Sequence, residues 1–308
     1  MKIAVIGAGA MGSLFGALIA EAGNDVWLLD IWEEHINAIK EKGLTIESAE
    51  QTRSVLVNAT TNPNQIGAAD LILIFVKSMH TQKAADTSRA LVGKETVVLT
   101  LQNGMGNADI LVETIKSAPV LAGTTSHGAT LLGPGKIRHA GRGPTIIGMW
   151  SDTESSLAKR IAAAFNNAKI DTEVAENIRD VVWGKLLINV GINAITALTG
   201  IKNGQILDLE ITKALSRAAV EEAMAVARAQ GIHVRDDAPE HVFQVAQATV
   251  LNRSSMGQDV DNKRSTEIEA INGVVVREGR RLGGHYAGQP NPGRIGGNAA
   301  RTLPIGGS

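Results

Sequence analysis

The sequence predicts an α/β fold in which a mostly parallel sheet comes first and an all-helical half follows. Three observations predict it. Short, almost wholly apolar runs alternate with helix-like stretches up to residue 148, as in a parallel sheet buried on both faces. The first run, Lys2–Ile6, passes straight into Gly7-Ala8-Gly9-Ala10-Met11-Gly12. Beyond Trp150 the segments lengthen and their apolar residues take a helical period.

The opening thirty residues carry the sharpest signal. Strand, glycine turn, helix, second strand (Asp25–Leu29) and then Asp30 is the order of a Rossmann-type βαβ unit that binds a dinucleotide. Gly7 permits the tight turn, Gly9 leaves room for a pyrophosphate, and Gly12 lets helix and strand pack closely. Ala10 and Met11 open a helix whose free N–H groups and partial positive charge suit phosphate. Asp30 can accept hydrogen bonds from both ribose hydroxyls and repels a 2′-phosphate. Neither Arg nor Lys occurs between Asp30 and Lys40, so the residues favour NADH over NADPH. The plainer readings are a tight βα turn without ligand, and Asp30 as the cap of a helix starting near Trp32.

Further strands are expected at Leu71–Phe75, Thr96–Leu101 and Val120–Thr124, with helices at Glu33–Lys42, Thr81–Leu91 and Asn107–Lys116 between the strands. Ser126–Leu132, Gly135–His139 and Pro144–Gly148 read as antiparallel additions to the end of the same sheet. Ser155–Asn167 reads as a helix and Ile170–Val174 as a strand. Long helices are expected over Asn177–Ala194, Asp208–Gln230, Glu240–Leu251 and Ser265–Arg281. The division is therefore 1–175 for the dinucleotide domain and 176–282 for a helical substrate domain. The stretch 283–308 is rich in Gly and Pro without apolar period, and is expected to be an extended or poorly ordered tail.

Composition excludes several classes. A net charge of −1 gives no electrostatic footprint for nucleic acid or an anionic membrane. The absence of Cys excludes disulfides, thiolate nucleophiles and Cys-based metal sites, and no metal centre is expected. Because a strand is read at the very start, no signal peptide is expected, and no apolar run is expected to reach membrane-spanning length. The expectation is a cytoplasmic enzyme with a small-molecule substrate; a homodimer is a candidate assembly.

Polar residues concentrate in four places. Lys185, Asn189 and Asn193 are spaced four apart in an otherwise apolar helix and share one face, drifting by about 40° per step. Buried amides and ammonium groups need partners or a polar ligand; the plainer reading is a solvent-facing stripe. Asn252 and Ser255 follow one helix, and Glu267 opens the next. Lys77 and Asn103 end strands at the sheet edge where ligands of open α/β sheets sit. Taken singly, these read equally as caps, turns or a surface lysine.

Together they resemble a known family. GAGAMG at 7–12, VKS at 76–78, QNG at 102–104, WGKLLINVGINAI at 183–195, SSMGQD at 254–259 and TEIEAINGVVVREG at 266–279 are similar to the ketopantoate reductases, within the 6-phosphogluconate-dehydrogenase-like group. The resemblance runs to about residue 283. It implies reduction of 2-dehydropantoate to (R)-pantoate on the route to coenzyme A. It also implies Lys185 as general acid and Glu267 as the carboxylate that orients the substrate. Asn189, Asn193, Asn252 and Ser255 would hold the substrate, with Lys77 and Asn103 at cofactor or substrate. The family commonly carries an Arg after the second strand and uses NADPH, which this chain's Asp30-Ile31 departs from. The family also usually ends in a further amphipathic helix, where this chain has its glycine-rich tail. Two alternatives stay open: a reductase of another branched 2-oxoacid, and a non-catalytic dinucleotide sensor.

Overall fold

A computed structural model of the chain describes residues 1–151 and 155–283. The main sheet contains β1 (Lys2–Ile6), β2 (Asp25–Leu29), β5 (Asn58–Thr60), β6 (Ala69–Ile74), β7 (Val92–Thr100), β8 (Val120–Thr125), β11 (Thr145–Met149) and β12 (Thr172–Val174). Among the described residues its order is β12-β11-β8-β7-β6-β1-β2-β5. From β8 to β5 every pair is parallel; β11 pairs antiparallel with β8, and β12 runs parallel to β11. β1 is the centre. From it the chain runs outward to β2 and β5, then crosses back to β6 on the other side. The strand order therefore reverses between β1 and β6, which is where open α/β sheets bind ligands.

The two faces of β1 feed different cores. Ile3 and Val5 pack with α1 (Ala10–Glu21) and α5 (Ser155–Asn167), whereas Ala4 and Ile6 pack toward α3 (Thr81–Ser88) and α4 (Asn107–Thr114). That two-sided burial is why the strand reads as a continuous apolar run.

A second sheet corrects one expectation. β9 (Gly128–Gly133) and β10 (Lys136–Gly141) do not extend the main sheet; only β11 does. They join β3 (Leu44–Glu47) and β4 (Thr52–Val55), neither of which the sequence had suggested, in the order β4-β3-β10-β9. This sheet lies over the outer side of α1. The physical reason is α1 itself. Its Gly12, Ser13, Leu14, Phe15, Gly16, Ala17 and Ile19 are all buried, so both of its faces need cover.

Beyond β12 the described chain is helical. α6 (Ile178–Thr199) is the axis, packed by α7 (Glu210–Ala229), α8 (Ala238–Ala248), α9 (Ser255–Asp261) and α10 (Ile268–Arg281). Asn177 caps its start by accepting from Arg179 N–H at 3.1 Å, and Gly200 ends it at φ +76°. Gly191 is where α7 and α8 come close. A Cβ there would lie 2.7 Å from Val220 and 2.8 Å from Val242. α6 also overturns the expectation about membrane-length runs. It has 22 residues and a window of mean hydropathy 1.5, enough to cross a bilayer by length and composition. Of that window, 61% is buried in the protein, as befits a core helix surrounded by other helices. The tail expected at 283–308 lies, from residue 284 onward, outside the described residues.

Candidate active site

The glycine loop is shaped by contacts that exclude side chains. Gly7 adopts φ +98°, and a Cβ on Gly12 would sit 1.9 Å from the Gly7 carbonyl oxygen. Above Gly9 nothing lies within 4 Å of a would-be Cβ, and no side chain caps the start of α1. The first turn of α1 is thus left without a side-chain cap beside the open space over Gly9, a cradle that fits a pyrophosphate. Asp30 stands beside the loop. Its Oδ2 accepts from Ala8 N–H at 2.7 Å and its Oδ1 from Trp32 N–H at 3.1 Å. A carboxylate has about four lone-pair sites, so two remain for ribose hydroxyls. Ile31 beside it is 81% exposed, and Glu33 and Glu34 open α2 (Glu33–Lys42).

Across the sheet edge, three strand ends meet the helical half. After β6, Lys77 Nζ donates to Asp259 Oδ2 at 2.6 Å and lies 3.6 Å from Glu267 Oε2. Ser78 N–H donates to Glu267 Oε1 at 3.0 Å. After β7, Gln102 holds two strand ends together: its Nε2 donates to the Val76 carbonyl (2.8 Å) and to Thr81 Oγ1 (2.9 Å). Gly104 then touches the start of α10, since a Cβ there would lie 2.5 Å from Ala270 O, and Met105 N–H donates to that same oxygen at 2.8 Å. At the end of β8, the Thr125 carbonyl accepts from Lys185 Nζ at 2.9 Å.

Lys185 is the electrostatic centre of this arrangement. Burial at the seam lowers its ammonium from the ordinary lysine range to about 8, while the Glu267 carboxylate pulls upward. Two of its three protons remain for a ligand. The structure thus brings Lys77, Lys185 and Glu267 to one seam. Farther along α6, Asn193 Nδ2 lies 3.5 Å from Ser255 Oγ, at the limit of a hydrogen bond. Asn189 and Asn103 are half-buried, and neither side chain has a hydrogen bond among the described residues. Asn252 is exposed in the turn before α9 and contributes only backbone contacts, its carbonyl accepting from Asn203 N–H at 2.9 Å. No group of three or more His, Asp or Glu side chains forms a metal cage among the described residues.

Sequence reasoning assigned no role to Asp259, although it stands in the quoted SSMGQD segment. Its side chain is 10% exposed and is Lys77's nearest carboxylate. The available signal was an acid inside a short helix flanked by Met256, Gly257 and Val260, since a buried carboxylate requires a cation.

The residues of this seam come from the segments that carry the family likeness, and whole-chain comparison gives the same result. Residues 3–152 match the family described as ketopantoate reductase PanE/ApbA, and residues 177–287 match ketopantoate reductase PanE/ApbA C terminal. This chain belongs to the ketopantoate reductase family. A 2-dehydropantoate 2-reductase of Halobacterium salinarum is 39% identical over 91% of this chain and 92% of its own length. Among solved structures, a PanE/ApbA family ketopantoate reductase from Ralstonia eutropha JMP134 superposes with TM-score 0.85 at 36% identity, covering 92% of this chain and 93% of that one. A D-mandelate dehydrogenase solved with NADH and anilino(oxo)acetate reaches TM-score 0.86 at 30% identity over the same shares. Both halves of the ketopantoate reductase fold are thus present: the mostly parallel sheet and the helical unit after it.

Proposed function

We propose that this chain reduces ketopantoate to (R)-pantoate with NADH, residues 1–175 holding the cofactor and 176–282 the substrate. The observation that carries the reading is Lys185: a seam-buried ammonium lowered to about 8, fixed on the Thr125 carbonyl and opposed by Glu267. The nicotinamide, when bound, supplies the hydride. Negative charge then grows on the ketone oxygen, and Lys185 Nζ stabilises it and delivers the proton. An acid lowered toward neutrality gives up that proton more readily than a free lysine. Glu267, already positioned by Ser78 N–H, accepts from the substrate hydroxyl. Asn189, Asn193, Asn252 and Ser255 provide neutral hydrogen bonds to the rest of the substrate. Lys77 and Asn103 lie where cofactor and substrate meet.

Asp30 supports NADH over NADPH. Its carboxylate, with Glu33 and Glu34 behind it, repels a 2′-phosphate, and the adjacent position is Ile31 rather than Arg. The cytoplasm goes with this reading by family likeness. A second reading, another 2-oxoacid as substrate, is favoured by the D-mandelate dehydrogenase likeness, whose ligand there is an oxoacetate.

Absorbance at 340 nm with ketopantoate and each cofactor in parallel tests the reading. Fast NADH oxidation is expected. Turnover with a different 2-oxoacid alone would move the substrate. NADH binding with no turnover on any 2-oxoacid would make the chain a sensor.

A further inference from the structure

His35 is wholly buried, yet it belongs to neither the substrate seam nor the cofactor cradle. Both of its ring nitrogens are engaged. Nδ1 faces the Gly135 backbone N–H at 3.0 Å, and Nε2 faces Ser13 Oγ at 3.2 Å. A backbone N–H can only donate, so Nδ1 is an acceptor and the proton of the neutral ring sits on Nε2. Nε2–H then donates to Ser13 Oγ, and the Ser13 hydroxyl donates to the Ala8 carbonyl at 2.8 Å. The other end of Ala8 donates to Asp30. One directed chain of hydrogen bonds therefore runs from the hairpin between β9 and β10, through α2 and α1, into the middle of the glycine loop.

Both ends of the chain are braced. Gly135 is held by Thr45 N–H, which donates to its carbonyl at 2.9 Å, and it packs against Ala38, where a Cβ would lie 2.9 Å from the Ala38 Cβ. The imidazole is stacked on Trp32, with ring centroids 5.0 Å apart and planes 10° apart, and Trp32 N–H is itself bound to Asp30. A histidine that merely filled space would need neither a single tautomer nor a line of donors ending on the loop.

We propose that His35, acting through Ser13, is a positioning residue that fixes the Ala8 peptide of the glycine loop and thereby sets cofactor affinity. Ala8 lies between the turn glycine and the glycine over which a pyrophosphate would pass. The oxygen that Ser13 holds belongs to the Ala8–Gly9 peptide and the N–H that Asp30 holds to the Gly7–Ala8 peptide, so Ser13 and Asp30 pin the two sides of Ala8, and loss of the Ser13 bond frees the peptide that leads into α1. The consequence for binding rests on the dinucleotide reading above; the consequence for the loop rests on the hydrogen bonds alone.

The test uses the full chain with Ser13→Ala, His35→Leu, the double variant, and His35→Gln, whose amide can still reach Ser13. Amide hydrogen exchange over residues 7–14 is measured without cofactor, NADH and NADPH dissociation constants by fluorescence, and ketopantoate KM at saturating cofactor. Ser13→Ala and His35→Leu are expected to speed loop exchange and weaken NADH by about tenfold each, with ketopantoate KM held within about twofold. The double variant should be no worse than His35→Leu, because both break one chain, and His35→Gln should recover part of the loss. If His35→Leu fails to fold, Ser13→Ala decides alone. Loop exchange and NADH affinity both unchanged in folded Ser13→Ala overturn the proposal. Faster loop exchange in a protein whose wild type binds neither cofactor keeps the positioning role and discards the dinucleotide reading.

Discussion

Glu267 Oε1 accepts the Ser78 backbone N–H at 3.0 Å, tying the start of α10 to the turn after β6 across 189 residues. The same carboxylate lies 3.6 Å from Lys77 and acts electrostatically on Lys185. Glu267→Gln keeps an oxygen for Ser78 but removes the charge. We expect turnover to fall by about 10²-fold with little change in melting temperature. Because Glu267 holds the Lys185 pKa up, the alkaline limb of the pH–rate profile should also move to lower pH. A limb that stays in place would break the coupling.

Reduction should need Lys185 in its protonated form. Its pKa is lowered to about 8, so kcat/KM for ketopantoate is expected to be level below that pH and to fall above it. Lys185→Met should cost about 10³-fold in turnover while NADH still binds. A lysine whose pKa is lowered on folding costs stability at neutral pH, and Glu267 keeps Lys77 and Ser78 N–H as partners, so the melting temperature should hold or rise. Stopped-flow turnover, NADH titration and calorimetry on one preparation check all three.

Gly9 and Gly12 make a discriminating pair. A methyl at Gly9 meets nothing within 4 Å, so Gly9→Ala should fold with wild-type stability and lose NADH affinity where the pyrophosphate passes. A methyl at Gly12 would lie 1.9 Å from the Gly7 oxygen, so Gly12→Ala should destabilise by on the order of 3 kcal/mol. Urea unfolding with and without NADH separates the two effects.

Cofactor choice should turn on Asp30 and its neighbour. Asp30→Ser with Ile31→Arg removes the repulsion and offers a guanidinium to a 2′-phosphate. Ile31 is 81% exposed, so the Arg displaces no core. We expect the kcat/KM preference to reverse toward NADPH. NADH affinity should also drop by about tenfold or more, because Ala8 and Trp32 lose the carboxylate they share.

Acid should weaken the fold through its histidines. Burial lowers the pKa values of His35, His127 and His139 below the ordinary 6.5. Below about 6.5 the unfolded chain takes up protons that the folded chain resists, so stability falls as pH drops from there toward the folded values. His127 and His139 also face each other at 3.2 Å, which leaves no room for two charged rings. Melting temperatures between pH 7.5 and 5.5 should decline, and less steeply in His127→Gln.

Much of the sheet edge was legible because local pattern and tertiary demand agree there. Lys2–Ile6, Asp25–Leu29, Glu33–Lys42 and Ser155–Asn167 occur at the expected residues. Strands buried on both faces, and helices with one apolar stripe, announce themselves. β3 (LTIE), β4 (TRSV) and β5 (NAT) do not: they are three or four residues long and mix polar with apolar. The partner of the β9–β10 hairpin was equally hidden, because the outer face of α1 selects it. Asp259 meets Lys77 across 182 residues, a distance at which spacing carries no information. Trp150 likewise donates through Nε1 to Asp109 at 2.8 Å and lies beneath the Arg179 guanidinium, contacts that no local pattern announces.

The second sheet has a consequence for modularity. The floor of the βαβ unit is complete by β2, but half of its roof arrives with β9 and β10, long after. A nascent chain therefore carries α1 with a bare apolar flank until residue 141 has emerged. The unit is also not a cassette to be cut from the front of the chain. Grafting it onto another protein requires either everything through β10 or an α1 whose outer flank has been rewritten in polar residues.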